Sequence, residues 1–178
     1  MVGNVSNFNN QAFQGVNFLQ PGQNSAQNGI GTQTNSSNNN SGTRSSLSGS
    51  GTNSDIAQIA ESKVGEQTSN IAGTNGGRLA CAAVVSNVLS EAGVLSGNEK
   101  TLSCDQLERK LKDKGARESG KQEGAIAFVG GGGGSSAHVG VVGEDGKVIA
   151  NSSSQRQVTT GWNPESDSRG NVRYLSLA

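Results

Sequence analysis

This sequence of 178 residues has few aromatic side chains, little charge, one His and two Cys. Its six aromatic residues are four Phe, one Trp and one Tyr, and 14 basic residues balance 14 acidic ones. A chain with zero net charge and no basic run lacks the positive surface by which proteins bind nucleic acid or anionic membranes. We therefore expect neither partner, and the length suits about one domain.

Long apolar segments are also missing. No stretch approaches the roughly 18 consecutive apolar residues of a membrane-spanning helix, so we expect no membrane insertion. Residues 1–20 lack the basic and apolar regions of a secretory signal peptide. We expect a protein that is made in the cytoplasm and that reaches any extracellular site by another route.

Residues 1–54 differ in composition from the rest of the chain. Asn, Gln, Ser, Gly and Thr dominate them, and Arg44 is their one charged residue. Such a segment buries too little apolar surface to fold alone, which predicts a linker or a docking segment. Phe8, Phe13 and Phe18 recur every five residues and are either scattered apolar residues or anchors that bind protein partners in an assembly.

Residues 55–178 have the pattern of a folded domain. Apolar spacing predicts helices from Ser54 or Asp55 to about Val64, over 79–92 and over 104–114, with Gly93 ending the second. Strands are predicted over 125–129, 138–143, 147–151, 157–161 and 171–175, and the loop 130–134 is a mobile rim or a plain connector. Helices followed by antiparallel strands predict an α+β fold.

Cys81 and His138 form the predicted catalytic pair. Cys81 lies in the first turn of the second helix, where the helix dipole and an imidazolium favour the thiolate. Free N–H groups at the same helix start point to where an oxyanion would form. Cys104 is interpreted as a structural or exposed thiol, and its spacing does not exclude a disulfide with Cys81.

A third polar group is predicted from hairpin register. A two-residue type I′ turn at Asp145-Gly146 pairs Gly140 with Asn151 and puts both on the face of His138. Asn151 then lies diagonally from His138 and is expected to orient its ring, with Ser153 as the rival for that role.

Three segments carry a family pattern: GRLACAAVV at 77–85, GAIAF at 124–128, and AHVGVV at 137–142 with DGKVIAN at 145–151. Together they resemble the NlpC-type cell-wall cysteine peptidases, a papain-like family related to the CHAP amidases, over most of residues 55–178. The resemblance implies a nucleophile at a helix start packed on a small antiparallel sheet. It further implies Cys81 as nucleophile, His138 as base and Asn151 as orienting group, without metal or cofactor.

The resemblance also implies the substrate, an amide bond in the stem peptide of peptidoglycan. Delivery inside a particle such as a bacteriophage tail would explain an enzyme that acts on the cell wall without a signal peptide. The family's Asp-Cys-Ser-Gly is here Ala-Cys-Ala-Ala at 80–83, so a non-catalytic binding module of a virion is one alternative. A secreted effector protease is another. Trp162 is expected either to line the substrate groove or to pack in the core.

Overall fold

A computed structural model of the protein describes residues 51–131 and 136–177. The three phenylalanines proposed as docking anchors lie outside the described residues, as does most of the predicted glycine loop.

The described residues contain three α-helices, two short 3₁₀ turns and six strands. The helices are α1 (Asn53–Ser62), α2 (Cys81–Glu91) and α3 (Cys104–Asp113), and the 3₁₀ turns cover Gly97–Glu99 and Pro164–Ser166. The strands are β1 (Arg117–Ser119), β2 (Ile126–Val129), β3 (His138–Val142), β4 (Val148–Ser152), β5 (Gln157–Trp162) and β6 (Arg173–Ser176).

α1 begins at a capping box. Thr52 accepts a hydrogen bond from the Asp55 N–H, and the Asp55 carboxylate accepts one from the Thr52 N–H, both at 3.2 Å. The cap is thus Thr52 rather than Ser54 or Asp55, and the boundary predicted after Ser54 falls inside α1. Ile56 and Ile59 are buried as predicted, whereas Val64 lies beyond the helix and is 41% exposed.

α2 and α3 each end just before a glycine. Gly93 and Gly115 both have positive φ, at 78° and 93°, directly after the last helical turns. α3 turns Leu107 and Leu111 into the core and its charged residues outward. α2 starts at Cys81, two residues later than predicted, and Leu79 is 59% exposed.

All six strands form one antiparallel sheet, so the α+β class is confirmed. Their order is β1-β6-β2-β3-β4-β5. β1 was not predicted, because its three residues, Arg117 to Ser119, carry no apolar alternation. It pairs with β6 at the edge of the sheet.

The three helices pack on one face of the sheet. The core between them contains apolar side chains of α1, α2 and α3 and of alternate strand residues, such as Phe128, Val139, Val141 and Ile149. The opposite face carries a smaller cluster of Ala125, Ala127, Val142, Val148 and Tyr174, against which Trp162 packs. Alternate strand residues therefore belong to two different environments.

A short segment before α2 lies along the outer strand β5. Gln67 bridges to Gln157, and the Gly65 N–H donates to the Val158 carbonyl at 2.9 Å. The Val158 N–H donates in turn to the Glu66 carbonyl at 2.9 Å. Residues 65–68 thus extend the sheet beyond its last regular strand.

The β3–β4 hairpin exists as predicted, but its predicted register is wrong by one residue. Gly140 pairs with Ala150 and Val142 with Val148, so the loop holds three residues, 144–146. Among non-glycine residues positive φ occurs only at Asn75 and Arg156 in the described chain, so Asp145 does not take the φ that a type I′ turn requires. Instead Gly146, at φ 76°, closes a three-residue loop.

Candidate active site

Cys81 is the first residue of α2, and its helix start has no side-chain cap. Ala80 precedes it and provides no side-chain hydrogen bond. The sulfur of Cys81 thus lies at a helix start whose first N–H groups receive no side-chain cap. The residue is free and 9% exposed.

Cys104 lies against Cys81. It is the first residue of α3, is 8% exposed, and its Sγ is 3.6 Å from the Sγ of Cys81. This helix start differs from that of α2, because the Ser103 hydroxyl accepts a hydrogen bond from the Gln106 N–H at 3.3 Å. Cys104 is therefore a buried neighbour of the predicted nucleophile, not an exposed thiol.

The two thiols have opposite pKa shifts. The pKa of Cys81 is lowered, first by the hydrogen bond from Cys104 and then by His138, both as a hydrogen-bond partner and through its charge; burial opposes this shift. The pKa of Cys104 is raised, first because its proton bonds to Cys81 and further by burial and by the charges of Cys81 and Asp105. The favoured state is a Cys81 thiolate that accepts a hydrogen bond from a Cys104 thiol.

His138 begins β3 and is 6% exposed. By strand alternation it shares the face of Gly140 and Val142. Because it is the first residue of the strand, its ring also reaches the cavity at the start of α2. Trp162 of that face packs edge-on against the imidazole, with ring centroids 4.6 Å apart and an interplanar angle of 83°. Trp162 was expected either to line the substrate groove or to pack, and in the structure it packs. Its partner is the imidazole of His138, the predicted base.

Trp162 is itself held by an ion pair. Its Nε1 donates to an Asp167 carboxylate oxygen at 2.9 Å, and the Arg169 guanidinium donates to both oxygens of the same carboxylate, at 2.8 and 2.6 Å. The Arg169 guanidinium holds the pKa of Asp167 well below its usual range. Asp167 thus connects the ring beside His138 to Arg169, which lines the same cavity as His138.

Asn151 lies on the other face of the sheet from His138. It pairs with Val158, which belongs to the core beneath the helices. Its Oδ1 accepts from the Thr68 hydroxyl at 2.7 Å and its Nδ2 donates to the Gly77 carbonyl at 2.8 Å. The structure brings Cys81 and His138 together and directs Asn151 to the loop before α2.

Ser153, the rival residue, has a similar position. Its hydroxyl donates to the Arg78 carbonyl at 2.7 Å. Both residues that were expected to orient His138 therefore hold the backbone that leads into Cys81. The correction follows from the register, because a shift by one residue moves every side chain of a strand to the opposite face.

Cys81, Cys104 and His138 line one cavity with a volume of about 300 Å³. Its wall includes the exposed Leu79 as well as Arg78 and Arg169. Among residues 51–131 and 136–177, no three His, Cys, Asp or Glu side chains are grouped as metal ligands. No helix in that part of the chain has the length and apolar character needed to cross a membrane.

Several residues of this site were not found from the sequence. Thr68, Asp167 and Arg169 lie in irregular segments whose positions depend on tertiary contacts. Cys104 carried a usable signal, because it directly follows Ser103 at a predicted helix start, as Cys81 follows Ala80. Apolar periodicity alone does not reveal that both thiols stand at helix starts.

No family model, no curated protein and no solved structure matches this chain. The functional interpretation therefore depends on the geometry of the site and on the resemblance of its sequence segments.

Proposed function

We propose that this protein is a cysteine peptidase or amidase with a papain-like, NlpC-type domain that hydrolyses an amide bond of the peptidoglycan stem peptide. The observation that carries the proposal is the Cys81 sulfur at an uncapped helix start, in the same cavity of about 300 Å³ as the imidazole of His138. A buried thiol with a lowered pKa beside an imidazole is the arrangement that thiol hydrolases require.

In the proposed reaction the Cys81 thiolate attacks the carbonyl carbon of the scissile amide. N–H groups at the start of α2 stabilise the oxyanion, and protonated His138 donates its proton to the leaving amine. Water then attacks the thioester while neutral His138 accepts its proton, and the carboxylic acid leaves Cys81. Each step needs only groups of this chain, substrate and water.

The corrected register changes the proposed role of Asn151. An amide bonded to Thr68 and Gly77 holds the loop that leads into Cys81, so we assign it a positioning role on the nucleophile side. On the His138 side, Trp162 restricts the ring by edge-on packing, and Asp167 fixes Trp162. The orienting function is thus divided between two groups of residues.

The setting of the enzyme belongs to the proposal as well. A polar segment with a single charge, Arg44, precedes the domain and favours docking on protein partners, and carriage in a phage tail or similar particle would bring the domain to the cell wall. The proposed site then faces the extracellular side after synthesis in the cytoplasm. Activity on a host protein with none on peptidoglycan would instead favour the secreted effector.

The test is digestion of purified peptidoglycan by the full-length protein under reducing conditions, with products identified by mass. We expect fragments from the parent and none from Cys81→Ala or His138→Ala. Ser154→Ala is the matched control, because it removes an exposed hydroxyl that does not line the cavity and leaves both reacting groups in place. A folded parent that leaves peptidoglycan intact contradicts the proposal.

One observation favours the second candidate, a non-catalytic binding module. Cys81 is only 9% exposed, and alanines surround it where the resembling family carries Asp, Ser and Gly. A binding module would retain peptidoglycan in a sedimentation assay, with Cys81→Ala binding as well as the parent and neither releasing fragments.

A further inference from the structure

The chain has two cysteines, 23 positions apart, and the fold brings them to the same cavity. Their sulfurs lie 3.6 Å apart, whereas a disulfide needs about 2.05 Å. Both sulfurs belong to first helical residues, and a disulfide requires that they approach each other by about 1.5 Å. The mechanism proposed above uses Cys81 and leaves Cys104 without a chemical role.

The two helix starts give the two thiols different chemistry. α2 has no side-chain cap, so its N–H groups stabilise negative charge on Cys81. Ser103 caps α3, and Asp105 stands beside Cys104, so the second sulfur keeps its proton. One sulfur is thus suited to react with an electrophile, and the other is held in contact as a thiol.

We propose that Cys81 and Cys104 form a reversible disulfide when a hydroperoxide oxidises the protein, with Cys104 as the resolving thiol. The Cys81 thiolate attacks the terminal peroxide oxygen, the O–O bond breaks, and Cys81 becomes a sulfenic acid while an alkoxide, or hydroxide in the case of hydrogen peroxide, leaves. The Cys104 sulfur, losing its proton, then attacks the Cys81 sulfur. The S–S bond forms, the S–O bond breaks and water leaves.

A dithiol such as dithiothreitol reverses the change. It reduces the disulfide to two thiols and is itself oxidised to a cyclic disulfide, so the electrons balance. The disulfide protects Cys81 from further oxidation to sulfinic acid, which dithiols do not reverse. Formation of the disulfide stands independently of the peptidase proposal; only the statement that it switches hydrolysis off rests on that proposed function.

The test uses the full-length protein, reduced and then treated with hydrogen peroxide. Remaining thiols are alkylated with N-ethylmaleimide in denaturant, and the intact mass is measured. We expect the parent to lose two hydrogen atoms, to take up no maleimide, to stay monomeric and to recover both maleimide sites after dithiothreitol. Cys104→Ser and Cys104→Ala should instead gain oxygen at Cys81, trapped by dimedone as the sulfenic acid.

Cys81→Ser is the matched control, and it should keep its one thiol at the same peroxide dose. A parent that accumulates sulfinic acid as readily as Cys104→Ser, with Cys104 still alkylated, would overturn the inference. So would a disulfide that joins two chains. Because the mass readout requires no hydrolysis, a protein inactive on peptidoglycan that still forms the bond refutes only the proposed function.

Discussion

Ala80 and Ser103 stand at equivalent positions before two helices, and only one of them caps its helix. The Ser103 hydroxyl accepts a hydrogen bond from one N–H of α3, that of Gln106, whereas the Ala80 side chain accepts none from α2. The first cause of the lowered pKa of Cys81 remains the hydrogen bond from Cys104, and the uncapped helix start adds to it. The absence of a cap, which ordinarily costs helix stability, is here part of the site.

The lowered pKa of Cys81 predicts an unusual pH profile for its alkylation. An ordinary thiol with a pKa of about 8.5 is about 1% thiolate at a pH two units lower. Because the native pKa is depressed, the thiolate persists as pH falls below 8.5, and iodoacetamide should modify Cys81 at an undiminished rate at neutral pH. Rates followed by mass spectrometry test this.

His138→Ala is the informative variant for the profile. Loss of the imidazole removes a hydrogen bond and a positive charge that lower the pKa of Cys81, so the fall in rate should move to higher pH. A parent profile with its midpoint near 8.5, identical to that of the variant, would show that the site does not activate the thiol.

Gly77 and Gly76 provide a matched pair of substitutions. Both have positive φ, 87° and 63°, but a Cβ at Gly77 would lie 2.8 Å from the Thr68 backbone, whereas one at Gly76 has nothing within 4 Å. We expect Gly76→Ala to cost about 1 kcal/mol and Gly77→Ala about 3 kcal/mol. Urea unfolding measures both, and equal losses would mean that the contact with Thr68 does not matter.

At the scale of elements, the end of β4 supports the loop before α2. Asn151 and Ser153 bond two successive carbonyls, those of Gly77 and Arg78, just ahead of the nucleophile. The strand thereby fixes the direction in which the chain enters the helix. Movement at β4 would displace Cys81 relative to His138.

Asn151→Ala should therefore destabilise the fold and slow the reaction of Cys81. The change leaves the buried Thr68 hydroxyl and Gly77 carbonyl with fewer partners, at a cost of about 2 kcal/mol. Ser153→Ala, at an exposed bond, should cost no more than about 1 kcal/mol. Urea unfolding and the alkylation rate at one pH give the two readouts, and a neutral Asn151→Ala would exclude the supporting role.

The elements themselves were largely predictable, because caps and periodicity are local. Gly93 and Gly115 follow α2 and α3 as their sequence positions indicate. The hairpin register was not predictable in the same way. A two-residue and a three-residue loop around Asp145-Gly146 differ in the backbone conformation of residues 144–146, including the sign of φ at Asp145, and that choice decides which face carries Asn151.

At the scale of the whole molecule, the two faces of the sheet have different roles. The helix-covered face holds the main core, and the opposite face holds Trp162 against His138. Local patterns predicted the ranges of most strands, but not that the strands order as β1-β6-β2-β3-β4-β5. Strand order arises from contacts between segments that are distant in sequence. Local patterns therefore could not predict which residues surround His138.

Phe128 tests how far the fold depends on the main core. It is 1% exposed in the central strand β2, so Phe128→Ala should cost about 3–5 kcal/mol. Such a loss is a large part of the roughly 5–15 kcal/mol that stabilises ordinary domains. Leu79→Ala, at a side chain that is 59% exposed, should change stability by about 0.5 kcal/mol or less. Urea midpoints that move equally would contradict the assigned core.

The segment over β5 has a consequence for how molecules of this protein meet in concentrated solution. An outer strand ordinarily has unpaired backbone N–H and C=O groups, to which a strand of another molecule can bond. Such pairing between molecules is the first step of aggregation. Residues 65–68 already bond to Arg156 and Val158, so the backbone groups of that part of the edge strand are paired within the molecule. Farther along, Gly161 at φ 95° breaks the regular spacing that an incoming strand would need. The same short loop that leads toward the nucleophile thus discourages fibril-like stacking at this edge.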